Sequence, residues 1–149
     1  MQVLYEKCVE DETLRFLRFF SMECKNQNRR KRYQSIIDRY GLNSVHIIER
    51  NLQAKVSFNE INVNAAYSLM IASLKKRTTR TNTKMYISEL RRKQKGMCPY
   101  CGEKLKNPVV DHIIPWSLVG DELGEANYQL LCQTCNLDKG NSTNNIRIS

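Results

Sequence analysis

Residues 98–140 read CPYCGEKLKNPVVDHIIPWSLVGDELGEANYQLLCQTCNLDKG, and the two cysteine pairs in this stretch decide its architecture. Two residues separate Cys98 from Cys101 and Cys132 from Cys135, and thirty residues lie between the pairs. This spacing lets both thiolates of a tight turn face one cation, and two such turns complete a tetrahedral shell with Zn–S bonds of about 2.3 Å. Zn²⁺ is therefore expected on these four sulfurs. Disulfide pairing competes with that reading. However, the N-terminus holds Glu6, Glu10, Asp11 and Glu12 where a secretory leader would carry a basic region and then an apolar run. A soluble, cytoplasmic protein with reduced thiols is the expectation. A shell of four thiolates leaves no position open for water, so this zinc is expected to hold the fold and not to do chemistry.

Between and beyond the pairs the pattern is short and strand-like. Pro108 to Pro115 and Tyr128 to Cys132 read as two strands joined by a long loop, and a last short helix is expected from about Asn136 to Gly140. The tail from Asn141 to Asn145 is polar and expected to fray.

Upstream the chain changes character. All three prolines and five of the six glycines lie from Gly96 onward, whereas the earlier apolar residues repeat at helical spacing. Phe16, Leu17, Phe20 and Cys24 form one stripe. Tyr33, Ile36, Ile37 and Tyr40 form a second, stopped by Gly41, and Val63, Ala66, Tyr67, Met70, Ile71 and Leu74 form a third. Ser57 and Glu60 have capping-box spacing, which places the start of the third helix near residue 57. A further helix is expected from Thr83 to Lys95, ended by Gly96. The longest apolar run is four residues, Leu69 to Ala72, so no membrane span is expected. Cys8 and Cys24 read as small packed hydrophobes. His46, at a predicted helix start, reads as an ordinary packed or half-exposed histidine.

The formal charge is +9, which favours a polyanionic partner. Nine basic residues fall between Lys75 and Lys95 against one acid, Glu89, and the run leads straight into the first cysteine pair. Lys75, Lys76, Arg77, Arg80, Arg91 and Arg92 are taken as candidate contacts to nucleic-acid phosphates, with Lys139 as a seventh. Trp116, the only tryptophan, is expected to pack and not to stack on a base.

Asp111 and His112 sit side by side in an apolar strand, a costly arrangement for polar groups unless they are paired or used. Taken together, Cys98-x-x-Cys101, Val110-Asp111-His112-Ile113-Ile114-Pro115, Asn127, Leu131-Cys132-x-x-Cys135-Asn136 and Lys139 resemble the HNH endonuclease motif over about residues 96–142. The resemblance implies a ββα-metal finger; with the helical periodicity upstream, the expectation is an α+β protein with a mainly helical region, 1–82, in a DNA-binding or dimerisation role, followed by a nuclease domain, 83–149. The resemblance further implies that His112 is the general base, that Asp111 is a ligand of a catalytic metal, and that Asn127 bridges the loop and orients His112. Asn136 stands where the family name expects a final histidine, and would supply a carbonyl oxygen. Such oxygen ligands suit Mg²⁺ or Mn²⁺. The expected activity is hydrolysis of double-stranded DNA, of restriction, phage or mobile-element type, at a rate that falls as His112 becomes protonated. Cutting both strands would take a homodimer. The competing reading is a zinc-stabilised DNA-binding module without cleavage.

Overall fold

A computed structural model of the protein describes residues 10–77, 80–144 and 146. The Cys8 reading therefore lies outside the described residues. The chain forms two units. The first comprises residues 1–76 and 143–149, and the second comprises residues 77–142. The expected boundary lay between residues 82 and 83, and the change in composition near Gly96.

Among the described residues the first unit holds four helices: α1 (Glu12–Glu23), α2 (Gln27–Tyr40), α3 (Ser44–Gln53) and α4 (Val63–Leu74). Three of them begin with a side-chain cap, which satisfies backbone donors that have no partner within the helix. Asp11 accepts from the Thr13 N–H at 2.8 Å, Asn26 from Arg29 at 3.1 Å and Asn62 from Ala65 at 3.1 Å. Of the predicted stripes, Phe16, Leu17, Phe20, Tyr33 and Met70 are fully buried, as are Val45 and Ile48 of α3, whereas Tyr40 is exposed. Phe20 packs on Tyr33 with ring centroids 5.6 Å apart. Cys24 is buried, and desolvation pushes its thiol up to about 11. His46 lies within α3 with its side chain 56% exposed, beside Glu49.

Two expectations change here. The capping box at Ser57 and Glu60 does not start a helix, and α4 begins six residues after Ser57, at Val63. The segment's backbone groups are instead bound by α1. Ser57 O accepts from Arg15, the Asn59 N–H donates to Glu12 at 2.8 Å, and the Asn62 N–H donates to Thr13 Oγ1 at 3.0 Å. The polar tail is also tied down. Thr143 Oγ1 donates to Glu10, which Arg18 also grips at 2.6 Å, and Asn144 bridges Glu10. Asn145 lies outside the described residues.

The second unit places α5 (Ile87–Lys93), after a 3₁₀ turn at Lys84–Tyr86, against an antiparallel pair, β1 (Val109–His112) and β2 (Tyr128–Leu131). The register sets Val109 opposite Leu131, Val110 opposite Leu130, Asp111 opposite Gln129 and His112 opposite Tyr128. Leu90, Leu105, Leu130 and Leu131 fill the core. Gln94, just past α5, treats the edge of β2 as a strand would: its Oε1 accepts from Leu130 N–H at 2.8 Å, and its Nε2 donates to Leu130 O at 2.9 Å. Between the strands lies a short helix, α6 (Trp116–Val119), and after β2 comes α7 (Gln133–Lys139). The last helix starts three residues before the predicted Asn136. The Cys132 thiol acts as its cap, with Sγ accepting from Cys135 N–H at 3.4 Å. The result is a helix-rich α+β protein whose small sheet and following helix make a ββα finger. Among the described residues no helix is long and apolar enough to cross a membrane.

Candidate metal centres and active site

The four predicted cysteines converge. Their Sγ atoms all lie within 4.8 Å of one another, with Cys101 and Cys132 3.8 Å apart. A tetrahedral shell with bonds of about 2.3 Å has edges of about 3.8 Å, so the cluster has the size a single metal requires. Local geometry produces it at both ends. In the first turn the Gly102 N–H donates to Cys98 O at 2.8 Å, with Gly102 at φ +75°, and in the second the cap of α7 fixes Cys132 against Cys135. Desolvation resists ionisation of Cys98, but backbone N–H groups of Cys101, Cys132 and Tyr100 outweigh it and bring the thiol down to about 6. Cys135 moves the opposite way, held up first by its hydrogen bond to Cys132. Four thiols this close share protons unless a cation takes their place.

A separate set of residues gathers around a pocket of about 340 Å³, which Asp111, His112 and Asn136 line together with Trp116, Arg80 and Leu137. Asp111 and His112 come from the end of β1 and Asn136 from α7. Asp111 is buried, at 7% exposure; one of its oxygens accepts from Gln129 Nε2 at 3.0 Å, across the sheet register. A buried carboxylate and a side-chain amide lining one pocket offer oxygen donors of the kind hard divalent cations take.

Asn127 clasps the loop between the strands. Its Oδ1 accepts from Ile114 N–H at 2.8 Å, its Nδ2 donates to Ile114 O at 3.0 Å, and its own carbonyl accepts from Ile113 N–H at 2.8 Å. These bonds hold the two residues after His112. They do not reach its ring.

The group that does reach the ring is one that sequence reasoning missed. Asp121 Oδ1 lies 2.7 Å from His112 Nε2. Asp121 also accepts from Tyr128 Oη at 2.8 Å, Trp116 Nε1 at 3.2 Å and the Thr81 N–H at 3.0 Å. Desolvation opposes its charge, but the donors led by His112 outweigh it and hold the carboxyl well below the usual carboxylate range. The same charge, added to desolvation, pushes the Tyr128 hydroxyl up to about 12, so it remains a donor. In sequence, nothing separates Asp121 from Glu122 or Glu125 in the same loop.

The basic candidates sort by what they touch. Lys139 is buried at 6% exposure, with Nζ 3.2 Å from Asp111 Oδ2 and donating to His112 O at 2.9 Å. Arg77 caps the end of α6, donating to Trp116 O at 3.3 Å and Leu118 O at 2.5 Å. Gly120, at φ +59°, leaves room for it: a Cβ there would come within 3.1 Å of Arg77 Cδ. Arg91 donates to Leu105 O at 3.2 Å, and Arg92 pairs with Glu89. Lys75 and Lys76 are exposed and belong to the first unit. Arg80 is exposed at the pocket, its guanidinium 4.8 Å from the centre of the Trp116 ring. Trp116 thus packs under Arg80 and against Asp121, as an anchoring side chain.

A family model described as HNH endonuclease matches residues 98–142, within the 96–142 over which the sequence resembles that family. No curated protein and no solved structure matches the chain.

Proposed function

Taking residues 98–142 as an HNH endonuclease domain, we propose that the protein is a metal-dependent endonuclease that hydrolyses phosphodiester bonds of double-stranded DNA with His112 as general base. The observation that carries this reading is the placement of Asp111, His112 and Asn136 on one 340 Å³ pocket, formed by residues other than the thiol cluster. Scaffold and chemistry are thereby assigned to different side chains.

In this reading Zn²⁺ binds Cys98, Cys101, Cys132 and Cys135 and braces the finger. Mg²⁺ or Mn²⁺ is held by Asp111 and Asn136; when bound it neutralises charge on the scissile phosphate and stabilises the leaving 3′-oxygen. Everything else is done by the chain. His112 removes a proton from the attacking water, a contribution of about 10²–10⁴ in rate for a positioned general base. Asn127 fixes the backbone that follows His112, through its paired bonds to Ile114. Arg80, on the rim of the pocket, meets a phosphate beside the scissile one, a contact that positions the duplex without reading its sequence. The products carry 3′-hydroxyl and 5′-phosphate ends, one finger cuts one strand, and a restriction, phage or mobile-element setting suits such an activity.

One observation favours the reading without cleavage. The Lys139 ammonium already neutralises Asp111, as a structural ion pair would. Incubating supercoiled plasmid with Mg²⁺ or Mn²⁺ separates the two. Cleavage by the wild type and loss of at least a hundredfold in His112→Ala support the nuclease. Binding without nicking by either protein supports the module.

A further inference from the structure

The imidazole of His112 is gripped from one side only. Its Nε2 lies 2.7 Å from Asp121 Oδ1, the Tyr128 ring stands edge-on to it at 5.1 Å and 83°, and Nδ1 has no hydrogen-bond partner among the described residues. The carboxylate that grips it is itself fixed at four points. Oδ2 takes the Thr81 backbone N–H and the Trp116 indole N–H, and Oδ1 takes the Tyr128 hydroxyl as well as the imidazole. An amide N–H and an indole N–H can only donate, so Oδ2 acts as an acceptor, and four converging donors match the four lone-pair directions of an ionised carboxylate. Three of these donors are not the ring: Thr81 from the segment before α5, Trp116 from α6 and Tyr128 from β2. Asp121 is therefore held independently of the ring.

We infer that Asp121 is the positioning residue of the His112 base: by accepting the Nε2 proton it fixes one tautomer and leaves Nδ1 as the nitrogen that takes a proton from water. The inference rests on the nuclease reading for its catalytic consequence and on geometry alone for its structural one. No covalent change at Asp121 is involved. The carboxylate stays ionised, and when Nδ1 takes a proton from water the ring becomes imidazolium, whose new charge Asp121 faces at hydrogen-bond distance. A carboxylate in this place does two things that a carbonyl or a water would do less well: it selects the tautomer and it stabilises the charged ring formed at the transition state. Without it the ring is free to hold its proton on Nδ1, which then has no lone pair to take a proton from water. Asp121 touches neither phosphate nor water in this scheme, so its effect falls on turnover and not on DNA affinity.

The two parts are tested separately. The chain has two histidines, so ¹⁵N long-range correlation spectra of the zinc-loaded protein without added Mg²⁺ or Mn²⁺, with His46→Gln to assign signals, report the His112 tautomer directly. The inference expects the Nε2–H form in the wild type, and an Nδ1–H majority there overturns it whether or not the protein cuts DNA. In cleavage assays Asp121→Asn is expected to lower kcat by a factor of about 10²–10⁴ while the Kd for uncleaved DNA and KM stay within about threefold. Asp121→Glu should recover part of kcat, and Glu122→Gln, one residue away, should match the wild type. A kcat for Asp121→Asn within threefold of the wild type overturns the positioning role. If the wild type carries the Nε2–H tautomer but cuts nothing, the nuclease reading falls and the structural assignment stands.

Discussion

The Nζ of Lys139 lies 3.2 Å from Asp111 Oδ2 and donates to the carbonyl of His112 at 2.9 Å, which places a buried ammonium beside the carboxylate assigned to the catalytic metal. Both side chains are almost completely enclosed, with 2% and 8% of their surface exposed. Removing one partner of such a pair leaves an uncompensated charge, at a cost of about 3–5 kcal/mol. Lys139→Met should therefore lower Tm in metal-free buffer, and Mn²⁺ should restore more stability to the variant than to the wild type, because a cation replaces the lost charge. Equal Mn²⁺-induced shifts in the two proteins would separate Lys139 from the metal site.

The thiol cluster makes a different forecast. Metal analysis should find one zinc per chain, and Cys132→Ser should lose it, because Cys132 is both a ligand and the cap of α7. Near-ultraviolet circular dichroism should show the second unit losing fixed packing on prolonged chelation, since a structural zinc site couples binding to folding. Cys24→Ser, in the buried core of the first unit, should keep its zinc. A chelated protein with unchanged spectra would remove the metal from the account of the fold.

Arg80 is the basic residue of the Lys75–Lys95 run that reaches the pocket rim. Arg80→Ala should weaken binding to all duplex sequences alike and flatten the salt dependence of binding by about one unit of slope. Arg92, already paired with Glu89, should contribute less. Titrations across salt concentrations check both. A loss confined to one DNA sequence would mean that Arg80 reads bases.

Asp121 also sets a pH dependence of stability. Its carboxyl is held below the usual range in the folded chain, so the stabilisation is complete above the unfolded value of about 3.9 and is lost as pH falls through the lower folded value. The Tm gap between wild type and Asp121→Asn, equivalent to about 2 kcal/mol for hydrogen bonds to a charged group, should shrink as pH falls below about pH 4. A gap that widens below that pH would contradict the bonding described for Asp121.

What the sequence made legible was local and periodic. Cysteine spacing located the metal-sized cluster, short strand-like runs located β1 and β2, and the juxtaposition of Asp111 and His112 drew attention because it is costly in an apolar strand. What stayed hidden depended on long-range partners. Asp121 is one of three acids in its loop, and only the folded chain brings Thr81, Trp116, Tyr128 and His112 around it. The capping box at Ser57 gave way because Glu12, Thr13 and Arg15 of α1 satisfy that segment's backbone instead. The basic run read as one electropositive surface, yet Arg77, Arg91 and Arg92 are occupied by carbonyls or by Glu89, contacts that charge counting cannot see.

The most direct test of the central claim is single-turnover cleavage of an end-labelled linear duplex in Mn²⁺ by wild type and His112→Ala, with the ends mapped. The account predicts a strand cut to 3′-hydroxyl and 5′-phosphate ends by the wild type, and a rate lower by a factor of about 10²–10⁴ in the variant. Equal rates, or a binding-competent wild type that leaves the duplex intact, would contradict it.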